Sequence, residues 1–154
     1  MGQLSMAGVD GAALLEVGGV GYSVRVPTVA LSGLQTVTGD VSLFIHTAVR
    51  EDAIDLYGFP TQGELRFFKQ LMSVSGVGPK TALGIMSLAD TASLKRAIGA
   101  GDSTTLIKIF GIGKKSAERL VVELRDKLQS ETPETHTTPG GESHAEVIEA
   151  LVAL

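Results

Sequence analysis

The 154-residue chain has 13 Lys and Arg against 17 Asp and Glu, a formal net charge of −4, 44% hydrophobic residues and no cysteine. This composition supports a packed core and excludes disulfides, thiolate metal sites and cysteine-ligated iron–sulfur clusters. No apolar run reaches the ~18 residues a membrane helix needs, and Met1-Gly2-Gln3-Leu4 lacks the basic start and apolar core of a secretory signal, so a cytoplasmic protein with no membrane partner is expected.

Residues 1–60 read as a small β domain. Ala12 to Val17 forms a short strand, Gly18-Gly19 a hairpin turn, and Val20 to Val26 its partner, with Tyr22, Val24 and Val26 on one face. Pro27 ends that strand, and Leu31 to Leu34 reads as a short turn. Val41 to Arg50 then alternates in a way that covers both faces, and Ala53 to Phe59 runs back. Several short strands within so few residues suggest a closed barrel such as the OB-fold. His46 reads as a half-buried sheet residue, because no second His or Cys stands near it to share a metal. Glu51 and Asp52 fall at a hairpin tip. Paired carboxylates can serve acid–base or metal chemistry, but no third acid or His completes a site, so a solvated turn is the default.

Residues 61–129 read as all-α, and one element in them occurs twice. Ser75-Gly76-Val77-Gly78-Pro79-Lys80-Thr81-Ala82 returns 35 residues later as Phe110-Gly111-Ile112-Gly113-Lys114-Lys115-Ser116-Ala117. An apolar helical run precedes each copy and a helix-forming run follows it. The first Gly is expected to end a helix in the left-handed conformation. The apolar residue plugs the corner, and the second Gly, or Pro79, opens the next helix. Free amides at that helix N-terminus, the helix dipole and a following lysine make a site for a phosphate oxygen. One such corner is equally well explained by packing alone, but two copies with basic residues fit tandem helix-hairpin-helix motifs that grip nucleic acid.

The remaining helices follow from their caps and stops. Thr61 to Val74 is amphipathic, Pro79 to Leu88 follows the first hairpin, and Asp90 is placed to cap Thr91 to Ile98. Gly99-Ala100-Gly101 stops that helix, Asp102 or Ser103 starts another to Ile109, and Gly113 to Leu128 is the last. Charge is distributed to match: residues 60–128 hold eleven Lys and Arg against six Asp and Glu, whereas residues 1–59 hold two against six. The basic segment therefore contains both hairpins, and this asymmetry is more informative than the net charge. Residues 130–143 lack an apolar period and read as a flexible acidic linker. His144 to Leu154 reads as one further helix capped by Ser143, with no core of its own.

With these residues in place, the chain resembles the RuvA family of bacterial Holliday-junction branch-migration subunits. The likeness is carried by Leu15-Glu16-Val17-Gly18-Gly19-Val20-Gly21-Tyr22, Val49-Arg50-Glu51-Asp52-Ala53, Leu56-Tyr57-Gly58-Phe59 and the two hairpins, the second extending through Glu118-Arg119. It covers about residues 12–128. The resemblance implies an α+β chain, with an N-terminal OB-fold barrel followed by an all-α tandem helix-hairpin-helix domain and a small C-terminal helical domain. It implies a homotetramer that holds the arms of four-way junction DNA, recruits the RuvB ATPase and works alongside the RuvC resolvase in recombination and repair. By motif, Gly76, Val77, Gly78, Lys80, Gly111, Ile112, Gly113, Lys114, Lys115 and Arg119 would contact phosphates, and Arg50 would add a contact from the barrel. Glu51 and Asp52 match the family's acidic pin. No catalytic residue, metal or cofactor is implied, and ATP would be used by the partner motor alone, since the chain contains no Gly-x-x-x-x-Gly-Lys-Ser/Thr loop.

Two departures from the family pattern stand out. The stretch from Leu4 to Ala13 is short for the family's first strand and turn, which leaves that barrel edge open. The C-terminal domain stops after its first helix (residues 144–154), so motor recruitment is expected to be impaired. A DNA-repair glycosylase built on the same hairpins is the alternative function. It would need a catalytic Asp or Lys at a base-sized pocket, and the acids downstream of the first hairpin at plausible spacing, Asp90 and Asp102, read better as helix caps.

Overall fold

A computed structural model describes residues 2–5 and 12–130. The residues expected to form the acidic linker beyond Ser130 and the last helix lie outside them.

The barrel comprises strands β1 (Gly2–Ser5), β2 (Ala12–Val17), β3 (Val20–Arg25), β4 (Asp40–Val41), β5 (Phe44–Val49) and β6 (Ile54–Phe59), with helix α1 (Thr28–Leu34) between β3 and β4. The sheet order is β4-β1-β2-β3-β6-β5. Its two end strands, β4 and β5, are separated along the chain only by Ser42 and Leu43, so one continuous segment joins both ends of the sheet and closes it. The single strand expected over Val41 to Arg50 is therefore broken. The chain leaves its antiparallel pairing with β1 at Val41 and takes up pairing with β6 at Phe44, while Leu43 turns in against the barrel core. The barrel edge left open by the sequence is filled by β1, which pairs with both β2 and β4.

Inside the barrel, Ala13, Leu15, Val24, Val26 and Val41 pack with Leu34 of α1. That helix starts earlier than the short turn expected at Leu31. Pro27, the residue that stops β3, stands at its N-cap, and the amides of Ala30 and Leu31 bond the Pro27 carbonyl at 2.9 and 3.1 Å. Gly58 leaves room for a side chain of the neighbouring strand: a Cβ there would lie 2.5 Å from Val24 Cγ1 of β3.

The outer face of β5 and β6 packs on the helices. Tyr57 and Phe59 belong to the same buried cluster as Phe67, Phe68 and Leu71 of α2 (Gln62–Met72). Phe68 is the hub, with ring centroids 4.8 Å from Phe59, 5.4 Å from Tyr57 and 5.5 Å from His46. Truncating a phenylalanine in such a position costs roughly 3–5 kcal/mol, so this seam, more than any polar contact, fixes the barrel to the helices. A second tie is the Thr28 amide, which donates to Ser87 Oγ at 3.1 Å.

The helices are α2, α3 (Pro79–Met86), α4 (Thr91–Gly99), α5 (Ser103–Phe110) and α6 (Lys114–Ser130). A capping box starts α2: Thr61 Oγ1 accepts from the Glu64 amide at 3.2 Å, and Glu64 Oε2 accepts from the Thr61 amide at 3.1 Å. Asp90 and Asp102 cap α4 and α5, accepting from the amides of Ser93 (2.9 Å) and Thr105 (3.0 Å). Helix α6 lays Ala117, Leu120, Val121 and Leu124 into the core, and Lys127 Nζ donates to Ser73 Oγ at the end of α2. It runs through Ser130, two residues past the end expected from its apolar pattern.

Candidate nucleic-acid interface

The two glycine hairpins are built differently. At the second, α5 runs to Phe110 and Gly111 is its left-handed cap (φ 57°), with its amide bonded to the Ile107 carbonyl at 3.1 Å. At the first, α2 ends earlier, at Met72, and Ser73 caps it in right-handed geometry. Val74 and Val77 then turn the chain, the Val77 amide donating to the Val74 carbonyl at 3.1 Å, and Gly76 takes the positive φ (86°) inside that turn. The expectation that the first glycine of each hairpin caps the preceding helix thus holds for Gly111 and fails for Gly76. Polar Ser73 and Ser75 flank Val74 there, and Ser73 Oγ bonds the Gln70 carbonyl at 2.6 Å, which ends the helix before Gly76 is reached.

Both hairpins deliver the chain to a helix start. Gly78 is the extended N-cap of α3 (φ −91°), and Pro79 occupies the first turn, where its missing N–H is no loss. The Gly78 carbonyl accepts from the Ala82 amide at 2.9 Å, and no side chain caps this terminus. The amides of Lys80 and Thr81 are thereby left for an outside acceptor. In the second hairpin the Gly113 carbonyl accepts from the Ala117 amide at 3.0 Å, opening α6. Val77 and Ile112 are half-buried plugs, while Gly76, Gly78, Gly111, Gly113, Lys80, Lys114, Lys115 and Arg119 are all exposed. Arg119 carries an ion pair to Glu123 one turn on, at 3.0 Å.

The barrel adds a wall to the first hairpin. A cleft of about 430 Å³ lies between Ala48, Val49, Arg50, Asp55 and Tyr57 of the barrel and Gly78, Pro79, Lys80 and Thr81 of the hairpin. Arg50, Gly78 and Lys80 therefore line one cleft, and Gly111 to Lys115 and Arg119 lie at the turn from α5 into α6, outside its lining. Arg50 sits where β5 ends. Its amide closes the β5–β6 hairpin by donating to the Ala53 carbonyl at 2.8 Å, and its guanidinium meets Asp55 Oδ2 at 2.6 Å. Glu51 and Asp52 occupy the exposed tip, and directly beneath them the cross-strand pair Val49 and Ile54 is 71% and 69% exposed.

Sequence reasoning counted Asp55 and Arg25 only as charges. Asp55 faces the cleft because it shares the outer face of β6 with Tyr57, and Arg25 is brought beside it by the parallel pairing of β3 with β6. Only the strand register could have revealed either residue.

The acids that a glycosylase would need are spent on helix caps. The Asp90 carboxyl is held below its ordinary range by bonds from the Ser93 hydroxyl and amide, and the Asp102 carboxyl likewise by Thr105. Burial, and then the Lys69 charge, lower the His46 pKa below its ordinary value, as expected for a ring packed on Phe68. Among the described residues no three His, Cys, Asp or Glu side chains are grouped to hold a metal ion, and no helix is long and apolar enough to cross a membrane.

Comparison with known proteins agrees with this layout. Residues 2–58 match the RuvA N terminal domain family, and residues 68–126 match the SAM-like helix-hairpin-helix tandem family. Among curated proteins, the chain is 44% identical to a protein of Methylibium petroleiphilum and 46% identical to one of Pelobacter propionicus, in each case over 92% of this chain and 74% of the relative. It is 41% identical to one of Symbiobacterium thermophilum over 99% of this chain and 78% of that relative. Each of the three is a Holliday junction branch migration complex subunit RuvA. With two consecutive domain matches and such identity across most of its length, the chain belongs to the RuvA family.

Proposed function

We propose that this chain binds four-way DNA junctions as a non-catalytic subunit, holding the arms so that a partner ATPase of the RuvB kind can drive branch migration in recombination and repair. The observation that carries the reading is the pair of exposed helix starts, each behind a Gly-x-Gly turn and each with lysine. One of them shares a cleft with Arg50 of the barrel. Phosphate oxygens fit such termini by dipole and by free amide. In this reading Gly76, Val77, Gly78 and Lys80 hold one stretch of duplex backbone with Arg50. Gly111, Ile112, Gly113, Lys114, Lys115 and Arg119 hold another.

Glu51 and Asp52 have the opposite task. Exposed carboxylates brought within a Debye length of phosphates, about 8 Å at physiological salt, repel them. They penalise a continuous duplex laid across the hairpin tip and spare an open crossing. Four copies around a four-armed ligand give each arm one set of hairpins, so a homotetramer is the assembly proposed, with a RuvC-type resolvase as a further partner. Residues 1–60 and 61–129 act as the barrel and hairpin domains of that subunit.

Titrating labelled four-way junction against unlabelled linear duplex of equal length tests the proposal. Junction binding should resist a large excess of duplex, and equal competition by both DNAs would overturn it.

A further inference from the structure

Asp55 stands at the cleft with an acid's charge, where a phosphate-binding surface has least use for one. Its Oδ2 lies 2.6 Å from Arg50 Nη2 and its Oδ1 3.9 Å from Arg25 Nη2. The carboxylate side chain is 16% exposed, against 55% for Arg50 and 38% for Arg25. The three groups come from three places in the barrel: Arg25 from the end of β3, Asp55 from β6, and Arg50 from the end of β5. Strand pairing sets Arg25 opposite Tyr57 and Ala48 opposite Asp55, so the carboxylate rests on a rigid sheet while Arg50 begins the exposed tip.

We infer that Asp55 is a positioning residue for junction binding, a carboxylate that holds the Arg50 guanidinium at the cleft facing Gly78 and Lys80 while Arg25 offsets its negative charge. The inference rests on the reading that this cleft receives a backbone phosphate. A free arginine side chain loses rotamer entropy when it is fixed. An arginine already tethered has lost part of that before DNA arrives, which lowers the cost of binding. The tether uses Nη2, and the guanidinium has five donors, so others remain for a phosphate. With two arginines and one carboxylate the group keeps one net positive charge, so the tether does not cancel the attraction.

Charge alone predicts the reverse behaviour, which makes the inference testable. Removing an acid beside a polyanion site should tighten binding if Asp55 merely neutralises Arg50. The experiment is a double-mutant cycle on junction dissociation constants by fluorescence anisotropy, using the full chain, Asp55→Asn, Arg50→Ala and the double variant. Arg50→Ala should weaken binding about tenfold, as the loss of a charge-assisted contact implies. Asp55→Asn should weaken it about three- to fivefold despite the lost negative charge, and should weaken it no further in the Arg50→Ala background. Unchanged or tighter binding by Asp55→Asn would overturn the inference, as would an equal loss in both backgrounds, which is what a purely structural role produces. If Asn disturbs β6, Asp55→Thr, a residue suited to a strand, repeats the cycle with the same outcomes. Failure of the underlying reading looks different: Arg50→Ala and Lys80→Ala would then both leave junction affinity unchanged.

Discussion

Replacing Gly76 and Gly78 separately with alanine distinguishes a phosphate-gripping hairpin from a packing corner. Gly76 has φ 86° and Gly78 φ −91°, and a Cβ on either meets nothing within 4 Å. Sterics inside the fold therefore play no part, and backbone conformation decides stability. Alanine at Gly76 must take a left-handed conformation at a cost of about 1–2 kcal/mol, which lowers the melting temperature by roughly 4–8 °C for each kcal/mol in a domain of 60–100 residues. Alanine at Gly78 keeps an extended conformation open to any residue. There the weaker N-cap preference of alanine is offset by the ~0.4–1 kcal/mol gained from a less flexible unfolded chain, so melting should shift by no more than about 2 °C. Yet, on the proposed reading, the new methyl would stand in the path of a phosphate approaching the Lys80 and Thr81 amides. Losing one charge-assisted bond of about 1.5–3 kcal/mol should weaken junction binding at least about tenfold. Differential scanning fluorimetry and anisotropy on the same preparations measure both quantities. A Gly78→Ala variant that melts early and binds normally would refute the reasoning, since the hairpin would then matter only for packing.

Other outcomes follow from the same geometry. Lys114→Ala should weaken binding alike for all DNA sequences and reduce the slope of log K against log salt by about 0.9 per subunit, as measured by titration at several ionic strengths. Glu51→Gln with Asp52→Asn should leave melting unchanged, because both residues are exposed at the tip. The same double variant should bind linear duplex more tightly, narrowing the preference for junctions. His46 should make the fold acid-sensitive: its folded pKa is pushed below the ordinary 6.5 by burial and by Lys69, so stability is lost as pH falls from 6.5 through that lower value. His46→Phe should reduce the drop in melting temperature between pH 7 and about pH 5 relative to the parent.

What the sequence made legible was whatever is decided within a few residues. The hairpins, the caps at Asp90 and Asp102 and the Gly18-Gly19 turn depend on local backbone chemistry and appear where expected. The break at Ser42 and Leu43 does not, because alternation over Val41 to Arg50 looks unbroken until the strand must change partners to close the barrel. Gly76 shows a subtler limit. It occupies the same place in the repeated motif as Gly111, but the helix before it ends at Met72, so identical letters perform different turns. The link from Arg25 to Asp55 was out of reach, since it joins residues 30 apart in the chain through a parallel register that no local pattern announces. Conversely, the cleft joining Arg50 to Lys80 depends on the aromatic seam around Phe68, a packing result that charge counting cannot anticipate.

The central claim is that two hairpins per chain grip the backbone of a four-armed DNA around an open crossing. Hydroxyl-radical footprinting of a bound, immobile four-way junction tests it most directly. The account predicts backbone protection repeated on all four arms beside the crossing, with Gly78→Ala removing one protected stretch per arm and leaving the other. Protection confined to two arms, or a footprint no different from that on linear duplex, would contradict it.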